Sequence, residues 1–402
     1  MSKFGYKSGE NRERSIGDGW EQACAILRSM TLGEAGRVPK RDLRWVSPGR
    51  GVEIGALDGL RTIAIVPVIA IHLGFVTGGF VGVTLFFALS GYLIGALLLE
   101  EKDRTSTVRI RQFYVRRLGR LYPALLVAIV FAVIVGLLNE VPAVRMFAAA
   151  VIAGSYTANL VASVTGAWIP VLNHTWTLAQ EEQFYLVAPL LTRRANMSKL
   201  GLYARICFVS VLIIGLLRLA ATIVIPELYP FTYENPLLNL DGMLAGFGLA
   251  LLVKSGRLPD WVIWATSKSI VAWSALAVFA VAATFAVMDS WTSAVANSAT
   301  VLATLVLLCH LSTSKSTITT ILDARPMRWL GQRVYGIYLF HVPIFLMLGV
   351  GGGDSREGQP LFISIALVLT IGSAAASARW VEAPVRLWVR RRQSASSSRV
   401  SN

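Results

Sequence analysis

Leu57-Asp58-Gly59-Leu60-Arg61 opens an apolar run that reaches residue 78 and carries Ala70-Ile71-His72-Leu73 within it. Read as one helix with a rise of about 1.5 Å per residue, it sets Arg61 and His72 roughly 16 Å apart, about half a bilayer core. The stretch therefore reads as a first membrane span, with an arginine at its cytoplasmic end and a histidine near its middle. Imidazole is costly to place at that depth, so an intramembrane histidine is a functional-site candidate by default. The alternative is a histidine held between helices by a neighbouring hydroxyl.

The rest of the chain repeats the first part of that pattern. Of its 402 residues 54% are hydrophobic and only 15% charged, with a mean hydropathy of +0.59. A soluble domain carries about 25% charged residues, so this chain needs lipid as its solvent. Apolar segments fall near 62–78, 79–99, 123–138, 146–164, 179–192, 204–224, 237–253, 269–288, 293–312, 333–351 and 361–381. The net charge of +15 invites a nucleic-acid reading, but its distribution argues against one. Basic residues cluster at 104–120, 193–205, 315–333 and 386–392, each beside an apolar run. That is the positive-inside pattern, which orients a membrane protein.

Charge parity then counts the crossings. With the amino terminus inside, the basic stretch from Lys102 to Arg120 returns to the cytoplasm after two crossings. To bring Arg193, Arg194, Lys199 and Arg205 inside as well, segments 146–164 and 179–192 must together make one crossing. The expected fold is an all-α integral membrane protein of about ten transmembrane helices plus one short re-entrant or partly spanning segment. Both termini lie in the cytoplasm and the 165–178 loop faces outside. Residues 1–54 read as a polar cytoplasmic arm, partly helical around Trp20 to Leu32 and not a cleavable signal peptide. Residues 55–388 form the membrane domain, and 389–402 a basic, Ser-rich cytoplasmic tail. The three cysteines are scattered and the four histidines form no metal-ligand spacing, so neither a disulfide framework nor a metal site is expected.

Several polar groups stand out against this apolar background. Glycines 79, 82 and 91 in the second span allow close helix approach, and Ser90 beside them is either packing or a polar contact. In the loop that follows, residues 110, 113, 114, 118 and 121 keep helical spacing while Arg116, Arg117 and Arg120 share another face. These arginines are topogenic charges or a phosphate clamp, since guanidinium binds phosphate oxygens in a bidentate fork. Tyr122-Pro123 follows them. Asn173-His174-Thr175-Trp176-Thr177 leads to Glu181-Glu182, where Glu181 and Tyr185 share a helix face and Glu182 points elsewhere. His341, after Tyr335-Gly336-Ile337-Tyr338-Leu339-Phe340, lies within a late span.

Taken in order, these pieces resemble the acyltransferase-3 family of multipass membrane acyltransferases. The resemblance rests on Leu57 to Arg61 with the ten-residue gap to His72, Gly82-Val83 through Phe86-Phe87 to Ser90-Gly91-Tyr92-Leu93-Ile94, and Phe113, Arg116-Arg117, Arg120 and Tyr122-Pro123. It continues with His174-Thr175-Trp176-Thr177-Leu178, Glu181 and Phe184-Tyr185, then Leu330-Gly331, Tyr338-Leu339, His341-Val342-Pro343-Ile344 and Glu382-Ala383-Pro384. It covers about residues 55 to 388.

The resemblance implies transfer of an acyl group, acetyl above all, from cytoplasmic acyl-CoA as co-substrate to a hydroxyl of an envelope glycan or glycolipid. No other cofactor is implied. Within that reading His72 is the catalytic base, or alternatively a nucleophile that forms an acyl-histidine, and Glu181 supports it by orienting a histidine or by binding the acceptor's hydroxyls. Arg61, Arg116, Arg117 and Arg120 hold the donor, with Ser90, Tyr122, His174, Trp176, Tyr185 and His341 in supporting parts. Small glycosylated metabolites such as macrolides are the alternative acceptors, and a transporter or lipid translocator is the alternative outside enzymes. Some members carry an extracytoplasmic esterase-like domain after the membrane part. This chain stops soon after its last apolar segment, so any such activity is expected from another protein or is dispensable. One departure lies at Asn239-Leu240-Asp241, where the family often has an arginine two positions before the aspartate, and Asp241 is given no role.

Overall fold

The computed structural model describes residues 55–225, 233–288, 290–351 and 359–398. The expected amino-terminal arm, with its helical stretch around Trp20 to Leu32, lies outside the described residues. Sixteen α-helices run through the described part: α1 Gly55–His72, α2 Val81–Thr105, α3 Ile110–Leu138, α4 Ala143–Gly154, α5 Ala158–Thr165, α6 Trp176–Arg194, α7 Leu200–Val224 and α8 Asp241–Lys254. They continue with α9 Asp260–Thr266, α10 Ser269–Phe285, α11 Trp291–Thr313, α12 Thr317–Leu322, α13 Arg325–Gly331, α14 Val334–Leu348, α15 Pro360–Ser377 and α16 Ala383–Ser398. A π-helical turn, Ala378–Glu382, joins the last two.

Among the described residues six helices or helix runs are long and apolar enough to cross a membrane, and a seventh appears if α9 and α10, bent by 75°, count as one span. They include α1, α2, α3, α11, the Met197–Val224 run containing α7, and the Pro360–Val389 run through α15. The other apolar segments give shorter or more polar helices. α8 has 14 residues and α14 has 15. α6 has 19, but Gln180-Glu181-Glu182-Gln183 lowers its hydropathy. The expected 146–164 segment is not one helix. Its chain breaks at Ser155-Tyr156-Thr157, where Tyr156 sits at φ 55°, leaving α4 with 12 residues and α5 with 8. At about 1.5 Å per residue neither reaches across a core of about 30 Å.

Burial separates inner helices from outer ones. α2 and α11 are 67% buried along their apolar windows, whereas the run containing α7 is 17% buried. Leu212, Ile213, Leu216 and Leu217 of α7 and Val130, Ile134 and Leu138 of α3 present large apolar side chains outward. An apolar exterior of that kind suits lipid, which solvates such side chains as readily as a core does. Inside, α1 and α2 form a tight hairpin: Gly79 and Gly82 lie against the backbone of Pro67 and Ala64. α8 packs along α2, where Gly91 meets the Met243 backbone and Gly246 meets Ala88.

The first span ends differently from its sequence reading. His72 is the last residue of α1, not a mid-span residue. Gly74 takes φ 76°, and Phe75 N–H donates to the Ala70 carbonyl (2.9 Å) while Gly74 N–H donates to that of Ile71 (3.1 Å). This paired pattern with a left-handed glycine is a Schellman stop, which satisfies the last free carbonyls of a helix. Leu73-Gly74 therefore ends the helix six residues short of where hydropathy alone carries it.

Candidate active site

Three of the four histidines come together from segments far apart in the chain. The His72 ring lies 4.8 Å from that of His341, and His174 lies 5.3 Å from His341, centroid to centroid, both edge-on. α1 contributes His72 at its end, the turn before α6 contributes His174, and α14 contributes His341. His72 is half-buried, while His174 and His341 are buried.

Backbone carbonyls orient two of the rings. Nδ1 of His72 is 2.7 Å from the Val68 carbonyl and Nδ1 of His341 is 2.6 Å from that of Tyr338. A carbonyl only accepts, so each Nδ1 carries the proton in the neutral ring and each Nε2 presents a lone pair. Nε2 of His341 is buried with no partner. Tyr338, one turn before His341, donates its hydroxyl to the His174 carbonyl (2.7 Å) and accepts from Thr177 (2.7 Å), tying the His174 turn to α14. Among the described residues no group of three His, Cys, Asp or Glu is arranged to hold a metal ion. Gly351, at φ 92°, seats directly on the His72 carbonyl, a place and a backbone conformation that exclude any larger residue.

The arginines on α3 splay apart. Arg117 donates Nε–H to Glu182 (3.0 Å), lies 3.9 Å from Glu181, and stacks its guanidinium 3.2 Å above the Tyr185 ring. Arg116 turns to Glu101 of α2 (3.8 Å). Arg120 is exposed and shares its field with Arg61, Arg117, Arg386 and Glu382. Arg61 pairs with Asp58, which also accepts from Gln332 (3.1 Å). Of the predicted donor arginines, Arg61 and Arg117 thus act on Arg120 through their charge, while Arg116 stands apart. The sequence reading gave no part to Arg386 or to Glu382, which sits buried on the π-helical turn among Arg120, Arg333 and Arg386. Single-turn π insertions are frequent at functional sites, so this one was a legible signal only once the helix was seen.

α14 measures the separation between the two groups. Arg333 sits at its start and His341 eight residues on, about 12 Å at helical rise. α1 repeats the arrangement, with Arg61 eleven residues before His72.

The remaining predicted residues fall around this axis. The Ser90 and Tyr185 hydroxyls hydrogen-bond to each other and lie against Glu181. Tyr122 donates to the Gly154 carbonyl (3.3 Å). Trp176 is buried between Tyr233 (5.2 Å) and Phe87 (6.1 Å). Glu181 and Glu182 both turn to Arg117, so Glu182 does not point elsewhere, because the guanidinium inserts between the two carboxylates.

The carboxylate on the histidine side is Glu234, which the sequence reading passed over. Its Oε1 accepts from Nδ2 of Asn173 (2.8 Å), the residue before His174. Burial pushes its carboxyl up to about 7, against the opposing pull of the Asn173 bond. Asp241, given no role above, forms a buried ion pair with Arg218 of α7, whose Nη1 also donates to the Leu238 carbonyl (3.0 Å). Asp241 thus has its guanidinium partner on another helix.

Apolar helices thus surround a group of three histidines, with arginines one helical stretch away. A family model described as an acyltransferase domain matches residues 54–379, and the chain belongs to this acyltransferase-3 family. It is 30% identical over 354 residues to the peptidoglycan O-acetyltransferase OatA of Listeria monocytogenes, covering 83% of this chain and 56% of that one. It is likewise 30% identical over 363 residues to the putative peptidoglycan O-acetyltransferase YrhL of Bacillus subtilis (83% and 55%). The O-acetyltransferase OatA of Staphylococcus aureus matches at 30% over 354 residues (82% and 57%). The chain thus spans a little over half the length of the curated relatives it matches. No solved structure matches it.

Proposed function

We propose that the protein is a membrane O-acyltransferase that moves an acetyl group from cytoplasmic acyl-CoA to a hydroxyl of a cell-envelope glycan. The observation that carries this reading is the meeting of His72 and His341 (4.8 Å) one helical stretch away from an arginine group. The names of the relatives support an acetyl group and a glycan acceptor.

In this reading the CoA phosphates rest on Arg61, Arg117, Arg120 and Arg386, and the pantetheine arm lies along α1 and α14 toward the histidines. Nε2 of His72 takes the proton of the acceptor hydroxyl as that oxygen attacks the thioester carbonyl. The tetrahedral intermediate collapses with loss of the CoA thiolate, which takes the proton back from the imidazolium. A neutral imidazole suits this work near pH 7, where a free alcohol is a weak nucleophile. Its place at the carboxyl end of α1 helps, because the partial negative charge there favours the imidazolium while it lasts. His72 is preferred to His341 because it is half-buried and so open to both substrates. Glu181 holds Arg117 and Tyr185 in place rather than acting on a histidine.

The topology proposed with it has ten crossings: α1, α2, α3, α6, α7, α8, α10, α11, α14 and α15, with α4 and α5 re-entrant. Both described ends of the chain then face the cytoplasm. The test is transfer from labelled acetyl-CoA to peptidoglycan fragments by the purified protein, read as an acetyl mass increment. Absence of that increment in the parent protein, with acetyl-CoA bound, would overturn the reading.

A further inference from the structure

Between α7 and α8 the chain runs Tyr233-Glu234-Asn235-Pro236, and this short segment is braced from within. Oδ1 of Asn235 accepts from the amides of Leu237 (3.0 Å) and Leu238 (3.3 Å), and Nδ2 of Asn239 donates to the Tyr233 carbonyl (2.8 Å). Gln180 of α6 donates to the Pro236 carbonyl (2.7 Å). Glu234 is held in one place as a result, 7% exposed. Its Oε1 has Asn173 as donor, and Asn173 is itself occupied, its Oδ1 accepting from the Ile169 amide (3.2 Å). Oε2 of Glu234 is buried with no partner. A buried acceptor left unmatched is destabilising and calls for an explanation at each place it occurs.

Its surroundings indicate what the oxygen awaits. Tyr233 next to it is half-buried, and the buried rings of Trp176 (5.2 Å) and Phe80 (6.4 Å) pack edge-on against it and hold it as an aromatic wall. On its other side Asn173 leads into His174, whose carbonyl accepts from Tyr338 of α14 (2.7 Å). A ligand that matches an aromatic wall with one face and a lone acceptor oxygen with a hydroxyl is a sugar ring. Aromatic faces suit the C–H side of such rings, and the hydroxyl edge donates.

We propose that Glu234, with Trp176 and Tyr233 beside it, forms the subsite for the acceptor sugar, Oε2 accepting a hydrogen bond from a hydroxyl next to the one that is acylated. This deepens the function proposed above and rests on it for the identity of the acceptor. Glu234 positions the sugar and takes no proton from the reacting hydroxyl. Glu234→Gln keeps the shape and an oxygen for Asn173 but replaces the open acceptor by an amide donor.

The test uses the purified full chain in lipid nanodiscs and the repeating disaccharide of peptidoglycan. Binding without acyl-CoA is followed by intrinsic tryptophan fluorescence, and transfer from acetyl-CoA by mass spectrometry. At about pH 8, where the carboxyl has released its proton, Glu234→Gln should weaken disaccharide binding and raise the acceptor KM by about tenfold or more, as expected for a lost bond to a charged acceptor. The KM for acetyl-CoA should stay at the parental value and the thermal midpoint at or above it. Equal binding by parent and variant, or no binding by the parent, overturns the proposal, as does an equal rise in the donor KM. If the parent binds the disaccharide and the variant does not, the subsite stands even where the parent fails to use acetyl-CoA, an outcome that removes only the donor.

Discussion

His310 and His341 are both fully buried on inner helices, yet their rings are used in opposite ways. Nδ1 of His310 is 2.8 Å from the Thr266 carbonyl and Nε2 is 2.7 Å from the Ser316 hydroxyl, so both nitrogens are spent. That ring fastens α11 to the end of α9 and to Ser316, which caps α12. His341 spends Nδ1 on the Tyr338 carbonyl and keeps Nε2 unmatched beside His72. Burial is the same in the two cases and the free lone pair is not. A buried histidine with both nitrogens satisfied is a brace, whereas one with a nitrogen unmatched keeps a lone pair for whatever its neighbours bring.

The sharpest way to break this comparison is at His72. His72→Ala should lower transfer by about 100-fold or more, the range of a lost general base, with the protein inserted and acetyl-CoA still bound. Steady-state assays on purified protein decide it. A residual rate above about a tenth of the parent would fall outside that range and pass the role to His341.

At the arginine end, Arg120→Lys should raise the acetyl-CoA KM by about tenfold, because the bidentate fork is lost while the charge stays. Arg116→Lys should raise it much less, since Arg116 reaches Glu101 instead. Donor-saturation curves on the two variants measure the difference, and equal effects would put the four predicted arginines back into one clamp.

His310→Ala should cost about 1–3 kcal/mol of stability by leaving Thr266 and Ser316 without their partner, yet leave kcat near the parental value. Thermal unfolding and turnover on the same preparation separate the two readouts. Loss of turnover without loss of stability would make His310 more than a brace.

The smallest expected effect is a pH slope from Glu234. Its carboxyl stands at about 7 against the usual 4.5, raised by burial against the opposing pull of Asn173 as donor. Between those values the folded protein keeps a proton that the unfolded chain has released, so this contribution makes stability fall as pH rises from 4.5 to about 7 and level off above. Glu234→Gln should flatten that slope in melting curves taken across the window. An unchanged slope would assign it to other groups.

Much of the architecture was readable because lipid enforces long apolar runs, and ten of the eleven segments appear as one main helix each. The break in the 146–164 segment was foreseeable too, from Ser155 and Thr157 in a stretch too short to share a crossing. The stop after His72 was written in Gly74, but hydropathy smooths over a single glycine. The histidine cluster was half legible. His72 and His341 stood out as imidazoles in apolar runs, but their contact joins residues in α1 and α14, and no local pattern encodes such a distance. Glu234 was missed because it lies in a proline-punctuated link between helices, where an acid looks ordinary. Its burial follows from Asn173 and the aromatic wall, both contributed by other segments. Arg218 and Asp241 were missed as a pair for the same reason.

That pair has a consequence for how the chain enters the membrane. Arg218 leaves the ribosome first, on a helix whose apolar face is turned mostly outward, and its partner follows 23 residues later. An arginine in a span carries an insertion penalty of up to about 3 kcal/mol on biological scales, and until Asp241 arrives nothing in α7 offsets it. α7 and α8 are therefore best admitted to the bilayer as a couple, with the intervening link passing through as one unit. A lesion such as Asp241→Asn would then be felt first by the insertion machinery and quality control, as missing protein rather than as a slow enzyme.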